Sequence, residues 1–306
     1  MIKINVLMST YNGEKYITEQ IESILNQIGV ETFLTIRDDG SSDNTIRIIE
    51  DYKSKYPDRF EIILGKNVGY KKSFLKLLNL AKGKMDYYAF SDQDDVWMPD
   101  KCIHGVRKIQ AHKNECALYA SSVYICNENL EVIYINDMTS THTTLKSDFV
   151  RHRIPGCTMI FSDELRKKAA VITKRMPRNV PSHDFVISAM ANAFGKIYLD
   201  EKSYILHRRL KTSITSKEKG IRNRIQTEIM LIWKYKYECT RMALLLLKGN
   251  GRYWKLSKEQ IDFIELVLKQ RKTLRARLKL ILDSQFTCGI KICDFETYFK
   301  ILIGNF

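Results

Sequence analysis

The chain has few residues that interrupt regular structure: five prolines and 14 glycines in 306 residues. That excludes collagen-like and low-complexity fibres. A hydrophobic fraction of 44% excludes an intrinsically disordered chain. Long apolar runs are missing too. A membrane span needs roughly 18 such residues, and the longest run, Met242 to Leu247, has six. The seven cysteines include no C-x-x-C pair, so neither a zinc cage nor a disulfide framework is indicated. A reduced, cytoplasmic protein is the expectation. The apolar start, Met1 to Met8, is too short for a signal-peptide core and reads as a strand. No G-x-G-x-x-G dinucleotide fingerprint and no P-loop Gly-Lys-Ser/Thr occurs.

Charge is present in excess and unevenly placed. Residues 1–200 hold 27 Lys and Arg against 25 Asp and Glu, and residues 201–306 hold 23 against 10. Nearly all of the net +15 therefore sits in the last third. Such asymmetry points to an anionic partner, either nucleic acid or a membrane surface. No nucleic-acid recognition motif or aromatic stacking platform accompanies it, so no nucleic-acid partner is expected.

The first 100 residues alternate strand and helix patterns. Strands are predicted at Ile2 to Met8, Thr32 to Arg37, Glu61 to Leu64 and Asp86 to Phe90. Helices are predicted at Tyr16 to Ile28, Thr45 to Tyr56 and Tyr70 to Ala81. This alternation implies right-handed crossovers and a mostly parallel, Rossmann-like sheet of the α/β class. Further strands are predicted at Ala117 to Cys126, Glu131 to Ile135, Cys157 to Phe161, Lys196 to Leu199 and Tyr204 to Leu206, with helices near Glu164 to Ile172 and Asp184 to Phe194. Beyond residue 210 only helical stretches remain, near 217–247, 257–282 and 291–303. The expected organisation is a catalytic domain over 1–210 and a basic helical region over 211–306.

In open parallel sheets, ligands bind at the carboxyl ends of the strands. Polar clusters follow all four early strands: Ser9-Thr-Tyr-Asn-Gly13, Asp38-Asp-Gly-Ser-Ser-Asp43, Gly65-Lys-Asn-Val-Gly69 and Ser91-Asp-Gln-Asp-Asp-Val-Trp97. Three carboxylates within Asp92-Gln93-Asp94-Asp95 repel one another unless a cation neutralises them, and Mg²⁺ or Mn²⁺ prefers such oxygen ligands. The alternative is a solvated acidic turn ahead of the helix from Asp100. Of Asp38 and Asp39, one suffices to form the turn before Gly40. The other could accept a hydrogen bond from a pyrimidine N3–H, a donor that cytosine lacks. His183-Asp184 opens a helix after Pro181-Ser182, where Asp184 is either a favourable first-turn charge or a carboxylate base beside the site.

In order and spacing, Ser9 to Tyr16, Asp38 to Asp43, Asn67 to Gly69 and Ser91 to Trp97 resemble the glycosyltransferase family 2 enzymes, in the form seen in their rhamnosyltransferase-like branch. The resemblance covers about residues 3–210. It implies a GT-A fold, a nucleotide-sugar donor, Mn²⁺ or Mg²⁺, and inverting transfer to a glycan acceptor in cell-surface polysaccharide synthesis. By that resemblance the donor would meet Thr10, Tyr11, Asn12, Glu14, Asp38, Asp39, Asn67, Gly69, Asp92 and Gln93. Asp94 would ligate the metal with Asp92 and Asp95 near it, and Asp184 would be the catalytic base. Trp97, Gly156, Cys157 and His183 would line the acceptor side. The branch makes dTDP-L-rhamnose the first donor candidate and UDP-hexoses the next.

The family often carries a further His in a Tyr-Arg-x-His segment. Here the segment reads His207-Arg208-Arg209-Leu210, with Leu210 at the expected position. Either His207 substitutes, or Arg208 and Arg209 neutralise the diphosphate, or the metal site is loose. Two other functions remain to be distinguished: a nucleotidyltransferase, which usually needs a Gly-rich first loop, and a non-catalytic sugar-nucleotide-binding relative. The basic residues of 211–306 interleave with apolar ones at helical spacing. They are expected either to cap the catalytic domain or to dock on an anionic membrane surface near a lipid-linked acceptor, placing the protein peripherally on the inner face of the cell membrane.

Overall fold

In the computed structural model, which describes residues 1–81, 85–112, 115–173, 180–210 and 237–306, the early alternation becomes four parallel strands with helices between them. These are β1 (Ile2–Thr10), α1 (Ile17–Leu25), β2 (Val30–Asp38), α2 (Thr45–Lys55), β3 (Phe60–Leu64), α3 (Tyr70–Leu80) and β4 (Tyr87–Ser91). β1 lies between β2 and β4. Its Ile4, Val6, Leu7 and Met8 are fully buried, so both of its faces are covered, as expected of a central parallel strand. Ile17, Ile21 and Ile24 of α1 and Phe74, Leu77 and Leu78 of α3 supply helical stripes to the core.

The chain continues through β5 (Val96–Trp97), α4 (Lys101–Gln110), β6 (Ala117–Cys126), β7 (Val132–Asn136), α5 (Leu145–Val150), β8 (Met159–Ser162), α6 (Asp163–Thr173), α7 (His183–Phe194) and β9 (Lys196–Arg208). The sheet order is β3-β2-β1-β4-β8-β6-β9-β5, with β7 on β6. This half of the sheet is mixed. β8 runs antiparallel to both β4 and β6, whereas β9 runs parallel to β6. The two short strands predicted over 196–206 are one strand of 13 residues. A register shift opposite Ser121 and Ser122 absorbs its irregular middle.

The C-terminal helices are α8 (Glu238–Gly249), α9 (Lys258–Lys269), α10 (Leu274–Ile281) and α11 (Lys291–Leu302). The helical stretch predicted over 257–282 is thus two helices. Lys269 carbonyl accepts from Lys272 and Thr273 N–H, closing one, and the Thr273 side chain caps the next. The part of the predicted stretch over 217–236 lies outside the described residues.

The chain divides into two compact units. One takes the described residues of Met1–Thr139, Ile154–Lys174 and Ser182–Arg209, and the other takes those of Ser140–Arg153, Arg175–Pro181 and Leu210–Phe306. Ser140–Arg153 thus belongs to the same unit as the C-terminal helices. Within that unit Phe149 packs edge-on to Phe263, Val150 carbonyl accepts from Thr297 Oγ1, and Lys146 pairs with Asp283 at 2.9 Å.

Candidate active site

Because β1, β2, β3 and β4 are parallel, the loops that leave their carboxyl ends share one edge of the sheet. Side chains knit these loops together. Asp38 accepts from Gly40 N, Ser41 N, Ser41 Oγ and Thr10 Oγ1, at 2.6–2.9 Å. Asp39 is buried against Arg37 and also accepts from Val68 N and Gly69 N. Gly69 has φ +82°, a conformation that glycine adopts without cost. Asn67 Oδ1 accepts from Gly69 N. Asn12 Oδ1 accepts from Ser42 N, and Glu14 Oε2 accepts from Asn44 N. Gln93 clamps the backbone of Tyr11 from both sides: its Oε1 accepts from Tyr11 N at 2.8 Å and its Nε2 donates to Tyr11 O at 3.0 Å. The Tyr11 ring itself is 49% exposed.

The acidic turn after β4 meets the end of β9. β5 and β9 pair antiparallel, with Val96 opposite Leu206 and Trp97 opposite Ile205. The same register sets Asp95 against His207, whose Nδ1 lies 2.8 Å from Asp95 Oδ1. Asp92, Asp95, Cys157 and His207 offer ligand atoms that all lie within 4.8 Å of one another. Asp94 is beside this group but is not one of its converging donors. Cys157 comes from the 3-10 turn Gly156–Thr158, and its Sγ is 3.9 Å from His207 Nδ1.

Electrostatics there are those of crowded carboxylates. Burial, then the charges of Asp95 and Asp94, push the Asp92 carboxyl up to about 8. Burial and Asp95 push Asp94 up to about 6. The charge of Asp95 holds the His207 imidazole well above its ordinary value. Burial pushes the Cys157 thiol up to about 12, so it remains a neutral thiol. The negative charge of Asp184, at the start of α7, also acts on Asp92.

Several expected site residues occupy supporting positions. Arg208 is only 3% exposed. Its guanidinium binds Glu19, the Asp94 carbonyl and the Glu128 carbonyl, so His207 rather than Arg208 faces the cluster. The Arg209 guanidinium lies over the Tyr134 ring. His183 stacks on Phe74 at 4.1 Å and meets the Phe90 edge. Gly156 lies so close to His183 that a Cβ would come within 2.5 Å of its ring. Trp97 is buried beneath the Lys101 ammonium, 3.6 Å from the ring centroid. Among the described residues Lys101 Nζ has no hydrogen-bond partner, and burial pushes it down to about 8. No spacing in the sequence sets Lys101 apart from an ordinary helix lysine. Nor does any pattern single out Gln20, whose amide donates to Ser91 Oγ, which in turn donates to the Asp92 carbonyl.

Residues 5–169 match glycosyl transferase family 2. The dTDP-rhamnosyl transferase RfbG of Shigella flexneri is 27% identical over 288 residues, 85% of this chain and 98% of that protein. The putative glycosyltransferase EpsE of Bacillus subtilis is 36% identical over a shorter stretch, 37% of this chain and 40% of that protein. Among solved structures, S. aureus TarS 1–349 with UDP-GlcNAc superposes with a TM-score of 0.57 at 20% identity, covering 98% of this chain and 90% of that one. The mannosyltransferase PcManGT of Pyrobaculum calidifontis, with GDP-Man and Mn²⁺, gives 0.50 at 14% identity, covering 98% and 86%. The chain belongs to glycosyl transferase family 2 and is a glycosyltransferase with the GT-A fold.

Proposed function

We propose that this enzyme transfers a sugar, with inversion, from a pyrimidine nucleotide donor to a hydroxyl of a lipid-linked glycan in cell-surface polysaccharide synthesis. The observation that carries the reading is the meeting of Asp92, Asp95 and His207 beside the ends of the parallel strands, where the charge of Asp184 also acts on Asp92. A donor diphosphate and an acceptor hydroxyl need such neighbours. dTDP-L-rhamnose is the first candidate donor, because the relative that aligns over most of the chain is named a dTDP-rhamnosyl transferase. UDP-hexoses come next, as in the TarS complex.

Asp38 and Asp39 are the two candidates for the pyrimidine N3–H. Asp38 accepts from four donor groups, and Asp39 accepts from three, Arg37, Val68 N and Gly69 N, with Val68 N reaching both of its oxygens. Gln93 fixes the Tyr11 backbone where the base would rest.

The donor set fits a hard divalent cation. Among the described residues Asp95 Oδ2 is buried without a hydrogen-bond partner, and the two raised carboxyls would be relieved by positive charge. Asp92, Asp95 and His207 would hold Mn²⁺ or Mg²⁺, with Asp94 next to them, and the neutral Cys157 thiol would be a poor ligand. Such an ion supplies Lewis-acid stabilisation of negative charge on a leaving diphosphate. Asp184 takes the proton from the acceptor hydroxyl as it attacks the anomeric carbon opposite the leaving group, and one displacement inverts that centre. Calorimetric titration with UDP, dTDP and GDP in the presence of Mn²⁺ tests the donor class. UDP or dTDP should bind more tightly than GDP, and the reverse order would reject a pyrimidine donor.

A further inference from the structure

The last two helices leave their apolar stripes uncovered. On α10, Leu274 and Leu278 are exposed, and Leu282, four residues on, is 79% exposed. On α11, Ile292, Phe295 and Phe299 follow at spacings of three and four, and Phe295 is 70% exposed. Such spacing places each set along one side of its helix. Residues 274–303 hold eight of the twenty large apolar side chains that are exposed among the described residues. An apolar stripe on a helix normally packs into a core. These two do not, although the opposite faces, with Ala276, Leu280 and Ile301, are buried.

The two helices form one structure. Arg277 of α10 donates to the Leu302 carbonyl at the end of α11 at 2.7 Å and to the Gln270 carbonyl at 2.9 Å. The end of α11 is thereby fixed beside the middle of α10.

Basic side chains flank the apolar ones. Arg275 and Lys279 are exposed, each next in sequence to an exposed leucine. Lys272 and Lys291 are exposed at the helix starts. Residues 269–303 contain eight Lys and Arg and three acids. All three acids are engaged within the unit: Asp283 by Lys146, Glu296 by Arg151, and Asp294 by Thr287 Oγ1 and Cys288 N. The exposed charge is therefore positive.

We propose that α10 and α11 form a docking face for an anionic lipid bilayer surface, with the apolar stripes entering the headgroup layer and the basic residues pairing with lipid phosphates. An interfacial helix has this composition: apolar on one side, Lys and Arg beside it, and no need to span. No helix among the described residues is long and apolar enough to cross a membrane. A second copy of the chain is a poorer occupant, because a symmetric pairing would bring the same cations together. The inference does not depend on the donor or the reaction.

The test is flotation with phosphatidylglycerol and phosphatidylcholine vesicles at low and high salt. The protein should float with phosphatidylglycerol, much less with phosphatidylcholine, and be released by salt. Replacing Arg275 and Lys279 by Gln should lower the partition coefficient roughly 30-fold, from about 1 kcal/mol for each cation near such a surface. Phe295→Glu with Phe299→Glu should abolish binding. All variants should keep the wild-type thermal unfolding and the wild-type rate of nucleotide release in free solution. Equal binding to both lipids, or none to either, would overturn the proposal. So would a dimer in light scattering that these Phe variants convert to monomer, since the face would then be a self-interface.

Discussion

Asp95 and His207 lie 112 residues apart in the chain and 2.8 Å apart in space. A two-residue strand brings them together: Val96 and Trp97 pair antiparallel with Leu206 and Ile205, and the next step of that ladder is Asp95 against His207. The acidic turn after β4 and the end of β9 are therefore joined by backbone as well as by charge. The Arg208 side chain reinforces the join through the Asp94 carbonyl.

This pairing sets a pH dependence. The folded protein holds protons on Asp92, Asp94 and His207 more tightly than the unfolded chain does, since all three values are raised. Stability from these groups must fall as pH rises, for Asp92 between about 4 and about 8. For His207 the contribution is complete below its ordinary 6.5 and is lost as pH passes its raised value. A divalent ion must displace those protons, so it binds better as pH rises. The increase in melting temperature produced by Mn²⁺ should grow from pH 5.5 to pH 8. The growth should shrink in Asp92→Asn. A shift independent of pH in the wild type would contradict the cluster as the metal site.

The Gln93 clamp on Tyr11 is a separate test of the donor loop. Gln93→Ala removes two hydrogen bonds to an exposed backbone segment. Donor affinity should fall about fivefold, near 1 kcal/mol, with little change in melting temperature. Unchanged donor KM would mean that Tyr11 does not contact the base.

Arg37 and Asp39 are both almost fully buried and paired. Removing one partner strands the other charge, which costs about 3–5 kcal/mol. Arg37→Met should therefore destabilise the protein by that amount in denaturant unfolding. A loss below about 1 kcal/mol would show that water reaches the pair.

The early half of the fold was readable because its signals are local. β1 to β4 carry continuous apolar runs, and α1 to α3 carry stripes of period 3.6, so each element declared itself with end errors of a few residues. The four polar loops followed, since parallel strands place their ends together. The unreadable features depend on partners far away in sequence. β9 looked like two strands because Asp200-Glu201-Lys202 has the composition of a turn, yet its neighbour β6 shifts register there and the ladder continues. β5 is too short for any period. The segment Ser140–Arg153 joined the C-terminal unit through single contacts such as Thr297 to Val150 and Lys146 to Asp283. Among the site residues, the choice of His207 over Arg208 turned on which side chain the strand turns toward the acids. Alternation along a strand decides that only once its register is known.

The central claim is that the acidic cluster and Asp184 form one site, with Asp184 taking the acceptor proton. It is tested most directly by the rate of nucleotide release from the donor, with water or a glycan as acceptor, in the wild type and Asp184→Asn at saturating donor and Mn²⁺. The substitution keeps shape and removes the base. The account predicts unchanged nucleotide affinity and a rate lower by roughly 10²–10⁴-fold. A near-normal rate with intact binding would contradict it.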